Sequence, residues 1–437
     1  MPHEPEPAVA ALAVVAACVV IWALVSARLE RWNVSAPVAF VLLGLVTTHG
    51  PTALIHLSLH SSTIRSIAEV TLALVLFADA SRVNARRLRA DVGIAVRLLG
   101  IGLPLTIGAG FAVTTGLFHG TGLWVAAAIG AIVAPTDAAL GAAVMNDERV
   151  PVGVRRILNV ESGLNDGIAT PFVNLFIAGA ASAEAVHAAG PARAAVDLLG
   201  GAAVGIGVGV AGAVLLALAR QRHLSSAGAQ PLATLALGLF AYSASVVAGT
   251  NGFVAAFLAG MAFGTVLPHD DELVSFAEES GLLLSLIVWF LFGGAMLVSG
   301  FQDATWRDVV FALLALTVVR MVPVALSLVG TGLDRATVAF VGWFGPRGLA
   351  SVVFGLIAVD TLAPTDGRTV LATVTVTVAL SVLLHGVTAS PLSARYGARA
   401  HQLHPERPEH RTTGHPIGTR RHHGALLASL GRVTPGD

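Results

Sequence analysis

The sequence predicts an all-α, polytopic membrane protein, and three observations make that prediction. Of the 437 residues, 55% are hydrophobic and 12% are charged. An ordinary soluble domain is about a quarter charged, so too little polar surface is left here to cover a water-soluble fold. The apolar residues arrive in blocks of roughly 18–28, the length a helix needs to cross ~30 Å of hydrocarbon. Strand-like alternation of polar and apolar residues is absent, which argues against a transmembrane barrel.

Thirteen spans follow in order, at about 8–28, 36–57, 63–82, 92–118, 121–145, 154–181, 196–219, 231–249, 251–267, 277–299, 307–329, 333–359 and 369–391. His3, Glu4 and Glu6 precede the first span and its arginines, Arg28 and Arg31, follow it. A cleaved signal peptide has the opposite order, so the segment is expected to be retained. With the N-terminus outside, the cytoplasmic loops hold Arg28, Arg31, Arg82, Arg86, Arg87, Arg89, Arg149, Arg155, Arg156, Arg220, Arg222 and Arg335. The opposite loops hold Arg65, Arg193, Arg307 and Arg368. That bias obeys the positive-inside rule, and one missed span before the middle would scramble it. Residues 1–391 therefore read as a transmembrane domain in the cell membrane. Residues 392–437 read as a disordered cytoplasmic tail rich in Arg, Pro and His (His401, His404, His410, His415, His422, His423). All 26 basic residues are arginine, and the formal net charge is zero, which gives no hint of nucleic-acid binding. Cys18 is the only cysteine, so neither a disulfide framework nor a thiolate metal site is available, and no cofactor is called for. The small residues Gly200, Gly201, Gly205, Gly207, Gly209 and Gly212 predict close helix packing.

Function is expected where the sequence tolerates what hydrocarbon opposes. A charge at mid-membrane costs about 2.5–3.5 kcal/mol on insertion scales and so faces a cavity or a partner. Five such residues stand out: Asp79, Asp137, Glu161, Asp166 and Arg347. Asp137 follows Pro135 and Thr136 in the fifth span. A mid-helix proline frees backbone carbonyls, and inside a membrane a cation is a suitable partner for them. The sixth span carries Glu161-Ser162-Gly163-Leu164-Asn165-Asp166. At 100° per residue, Ser162 and Asp166 share one helix face and Glu161 and Asn165 another. The first pair offers hard oxygen ligands for a small alkali cation or a proton. Glu161 needs a positive partner, and Arg347, in the helix-breaking run Gly345-Pro346-Arg347-Gly348 of the twelfth span, is the expected one. Asp79 either neutralises Arg82 or lies on the ion path.

Pro-Thr-Asp in one span, Glu-Ser-x-x-Asn-Asp in the next and a Gly-rich Arg motif late in the chain resemble the sodium/proton exchanger family, in its electroneutral branch. The resemblance covers about residues 8–391. It implies two inverted six-helix repeats, with the fifth and twelfth helices discontinuous and crossing at the membrane centre, and a homodimer that alternates access. It implies that Asp166 binds the ion and the proton, assisted by Asp137, Ser162 and Thr136, with Asp79 near an acidic position of some relatives. Asn165 would hold the broken helix, and Glu161 would pair with Arg347. Ala138, Val160, Gly163 and Pro346 depart from the usual pattern. The transported cation would be Na+, with Li+ or K+ as alternatives. Asn165 stands where the electrogenic branch carries a second aspartate, and the chain has no lysine. One-for-one exchange with H+ follows as the expectation.

Other classes fit less well. An intramembrane aspartyl protease carries Gly-x-Gly-Asp, which Gly163-Leu164-Asn165-Asp166 is not, and Ser162 lacks the context of a serine-protease nucleophile. A cation channel or ion sensor would share the binding residues and differ in showing no counterflow.

Overall fold

The computed structural model describes residues 7–32, 34–82, 93–184, 191–267, 271–404 and 407–410. Its described residues form helices in the order α1 Pro7–Arg31, α2 Ala36–Thr48, α3 Ser62–Ser81, α4 Gly93–Leu117, α5 Leu123–Ile132, α6 Ala138–Met145, α7 Val152–Glu184 and α8 Pro191–Gln221. There follow α9 Ala229–Val247, α10 Gly252–Val266, α11 Asp271–Leu291, α12 Trp306–Leu316, α13 Val318–Ser327, α14 Arg335–Trp343, α15 Leu349–Thr361 and α16 Pro364–Ala400. A π-helical turn, Phe292–Met296, carries α11 onward to Leu297–Gln302, and a second one, Leu98–Gly102, lies inside α4. Seven of the helical stretches are long and apolar enough to cross a bilayer. Among the described residues there are no strands.

Two of the predicted spans are interrupted by several unwound residues, leaving the short helices α5 and α6 in one and α14 and α15 in the other. α5 stops at Ile132 because Pro135 cannot donate the backbone bond that would carry the helix on. α14 stops at Trp343, just before Gly345-Pro346, where a residue preceding proline is pushed out of the helical region. α7, which carries Glu161 to Asp166, packs on α5, α6 and α3, while α16 packs on α15 and α12. Pro171 lies inside α7 without ending it. Small residues bring α8 against α10: a Cβ on Gly201, Gly205 or Gly209 would lie 2.4 Å from the backbone oxygens of Asn251, Ala255 and Ala259 respectively. That is the packing the glycine run predicts.

The end of the chain differs from expectation. α16 continues past 391 to Ala400, because Leu392, Tyr396 and Ala400 recur at i, i+4 and i+8 and present one apolar stripe to the core. Tyr396 stacks on Phe340 with centroids 4.2 Å apart. Beyond it, Glu409 is fully buried, and its Oε1 accepts hydrogen bonds from Asp334 N (2.7 Å) and Thr337 Oγ1 (3.0 Å) at the start of α14. Ordered structure therefore reaches into the segment expected to be disordered. Arg86, Arg87, Arg89, His415, His422 and His423 lie outside the described residues.

Candidate functional site: the crossing of two broken helices

The two breaks meet. Asp137 N donates to Pro346 O at 2.7 Å, so the unwound segments touch through their backbones. Each break exposes the N-terminal amides of one half-helix and the C-terminal carbonyls of another, groups that have no intrahelical partner. The side chains that satisfy them are charged in the sense that the helix dipoles favour. Asp137 serves both N-termini. Its Oδ1 accepts from Ala139 N (2.7 Å) and Leu140 N (2.9 Å) at the start of α6, and its Oδ2 accepts from Leu349 N (2.8 Å) at the start of α15. Gly348 permits this approach, since a Cβ there would lie 2.2 Å from Asp137 Oδ2.

Arg347 serves the C-termini. Its Nη1 donates to Ala134 O and to Pro135 O, and its Nη2 donates to Ala315 O (3.1 Å) near the end of α12. Ser351 Oγ donates to Ile132 O at 2.7 Å. The cation that meets the carbonyls freed by Pro135 is thus the protein's own guanidinium, where the sequence suggested a bound ion. A substitution of Asp137 by Ala removes caps from two helices, each worth roughly 0.5–2 kcal/mol. The expected outcome is a lower melting temperature of the purified protein in detergent; an unchanged transition would contradict the capping role.

Beside the crossing lies a cluster of uncharged oxygen and amide groups. Asn165 Nδ2 donates to Thr136 Oγ1 (2.5 Å), and Thr136 Oγ1 is 3.0 Å from Ser162 Oγ. Thr136, Ser162 and Asn165 are all buried. Asp166 is one turn beyond Ser162 on α7 and is 9% exposed. Asp79 approaches from α3: a Cβ placed on Gly163 would sit 4.0 Å from the Asp79 Cβ. Carboxylate and hydroxyl oxygens of this kind are hard ligands, suited to a small alkali cation or a proton.

The transmembrane sodium/hydrogen exchanger family profile matches residues 14–395. The chain belongs to the sodium/hydrogen exchanger family. This is a transporter family and not a class of enzymes. Relatives include the Na+/H+ antiporter ApNhaP of Aphanothece halophytica, 24% identical over 388 residues, which make up 84% of this chain and 71% of the relative. A probable Na+/H+ antiporter of Schizosaccharomyces pombe is 27% identical over 252 residues, 53% of this chain and 32% of the relative. The chain thus spans about a third of the yeast protein's length. The sodium proton antiporter MjNhaP1 of Methanocaldococcus jannaschii at pH 8 shares the fold, with a TM-score of 0.71, 22% identity, and coverage of 90% of this chain and 100% of that chain.

One sequence expectation is corrected by the structure. Glu161 hydrogen-bonds Arg320, Nη1 to Oε1 at 2.5 Å, and both residues are almost wholly buried. Arg347 gives its hydrogen bonds to the helix ends instead. Arg320 is masked in the sequence by a strongly apolar stretch, Val318-Val319-Arg320-Met321-Val322. The signal was nevertheless available: it is a charge well inside the span 307–329, the same criterion that singled out Asp137.

Proposed function

We propose that this exchanger moves Na+ in exchange for H+, one for one, through Asp166. The observation that carries the proposal is the cluster of Thr136, Ser162 and Asn165 at the break before α6, with Asp166 on the next turn of α7. Two hydroxyls meet where backbone is already unwound, which is where membrane transporters place ion sites, and Asp166 follows one helical turn beyond Ser162. The relatives' names supply Na+ as the cation, with Li+ and K+ as the alternatives to test. Asp166 binds either the cation or the proton, and the crossing alternates its access to the two sides. The exchanger acts as a homodimer in the cell membrane, N-terminus outside and C-terminus cytoplasmic.

One-for-one stoichiometry rests on the groups around Asp166. Asn165 does not titrate, and its amide is spent on Thr136. The three amides on Asp137 give that carboxylate a structural task. No lysine is present anywhere in the chain, and a guanidinium does not release its proton at physiological pH.

Competition at one carboxylate makes cation and proton binding reciprocal. Below the proton affinity of the site, the apparent KM for Na+ is expected to rise by about tenfold per pH unit, since each tenfold gain in proton activity costs the cation the same factor. The test is dequenching of a pH dye in proteoliposomes, with Na+, Li+ and K+ gradients, read together with current on a solid-supported membrane. Dequenching of acid-loaded liposomes driven by an inward cation gradient, without sustained current, is the expected result. Steady current would instead indicate a channel or an unequal stoichiometry.

A further inference from the structure

Both lips of the second break are held by one face of the last helix. Ser381, His385 and Thr388 lie at i, i+4 and i+7 on α16 and share that face. Ser381 Oγ accepts from Arg347 N at 2.7 Å, which fixes the downstream lip and the residue whose guanidinium closes the crossing. Thr388 Oγ1 accepts from Trp343 Nε1 at 3.0 Å. His385 Nε2 lies 2.8 Å from Trp343 O, the last carbonyl of α14. A carbonyl only accepts, whereas the Ser381 hydroxyl on the Nδ1 side can also donate, so the tautomer with its proton on Nε2 lets the ring donate to Trp343 O and accept from Ser381 Oγ. Its Nδ1 faces Ser381 O (2.9 Å) and Ser381 Oγ (3.3 Å). The ring stacks on Trp343 with centroids 5.1 Å apart and meets Phe344 edge-on, and it is 3% exposed.

We propose that His385 is a positioning residue for exchange. It fixes the upstream lip of the second break, while Ser381 fixes the downstream lip, so that Arg347 and Asp137 stay aligned over the ion site. The crossing has four open helix ends, and the side chains divide them between themselves. Asp137 takes the N-termini of α6 and α15, Arg347 takes the C-terminus of α5, and His385 takes the C-terminus of α14. Gly345 N also donates to Trp343 O, at 2.8 Å, but it belongs to the unwound segment itself and cannot anchor that segment to a neighbour. The anchor comes from α16. Losing it lets the unwound residues shift, and a misplacement of about 1 Å can cost a site on the order of a hundredfold in rate.

The inference rests on the exchange reading, and its test separates the two. His385→Phe keeps an aromatic ring for the stack and removes the donor; His385→Gln keeps a donor and gives up the ring. In proteoliposomes, His385→Phe is expected to lower the maximal exchange rate by about tenfold, the effect of one lost buried hydrogen bond. The apparent KM for Na+ should stay within about twofold, because no ligand is touched. His385→Gln should recover most of the rate. In parallel, deuterium uptake of the backbone at 343–349 should rise in His385→Phe and stay near the wild-type level in His385→Gln. Wild-type rate and uptake in His385→Phe would overturn the proposal, as would a glutamine variant no better than the phenylalanine one. If the wild-type protein shows no exchange, the transport reading fails alone, and deuterium uptake still decides the role of His385.

Discussion

Asp166→Asn is expected to abolish exchange while leaving the protein folded and inserted. The substitution preserves size and the capacity to accept a hydrogen bond, but a carboxamide carries no charge and takes up no proton at physiological pH. A site that alternates between a cation and a proton then has neither state available. Dye dequenching should fall to the level of empty liposomes at every pH and for every cation tested. The melting transition in detergent should move little, because the helix ends at the crossing are held by Asp137 and Arg347. This contrasts with Asp137→Ala, for which the stability loss comes first. Near-normal transport by Asp166→Asn would remove this carboxylate from the centre of the mechanism and leave Asp79, across from Gly163 on α3, as the residue to test next.

What was legible in the sequence follows from how strongly hydrocarbon selects. Asp137, Glu161, Asp166 and Arg347 were visible because each is costly in an apolar span. Both breaks were visible because Pro135 and Gly345-Pro346 cannot continue a helix. Partner choice was not visible. Glu161 lies 159 residues from Arg320 and 186 from Arg347, and nothing local favours either. The choice is made by geometry, since Arg347 is drawn between the carbonyl ends of α5 and α12, which leaves Arg320 for the carboxylate. The two roles of Asp137 were hidden for the same reason. Its capping of Ala139 and Leu140 is local and readable from an Asp before a helix start, whereas its bond to Leu349 N depends on the crossing. The ordered part of the tail was missed because Leu392, Tyr396 and Ala400 are spread among Ser, Arg and Gly, a composition that reads as disorder until the helical spacing is counted.

Breaking the Glu161–Arg320 pair is expected to give a large loss of stability. The two side chains are 3% and 4% exposed, and they meet through a single bond of 2.5 Å. Taking either charge out of water is expensive, and mutual attraction offsets that cost only while both are present. Arg320→Gln leaves a buried carboxylate without its cation, and Glu161→Gln leaves a buried guanidinium without its anion. Each is expected to cost about 3–5 kcal/mol. The double variant removes both charges together, so its cost should fall short of the sum by about 0.5–3 kcal/mol, the usual range for residues in contact. The same cycle with Arg347→Gln in place of Arg320→Gln should show weaker coupling to Glu161. Arg347 is held by the carbonyls of Ala134, Pro135 and Ala315, and Glu161 acts on it only through space. Removing Arg347 would therefore be costly for a separate reason, the loss of partners for three buried carbonyls. Melting temperatures of the single and double variants in detergent supply all the corners of both cycles. Stronger coupling of Glu161 to Arg347 than to Arg320 would restore the pairing that the sequence alone suggests, and with it a crossing in which Arg347 leaves the helix ends to neutralise the carboxylate.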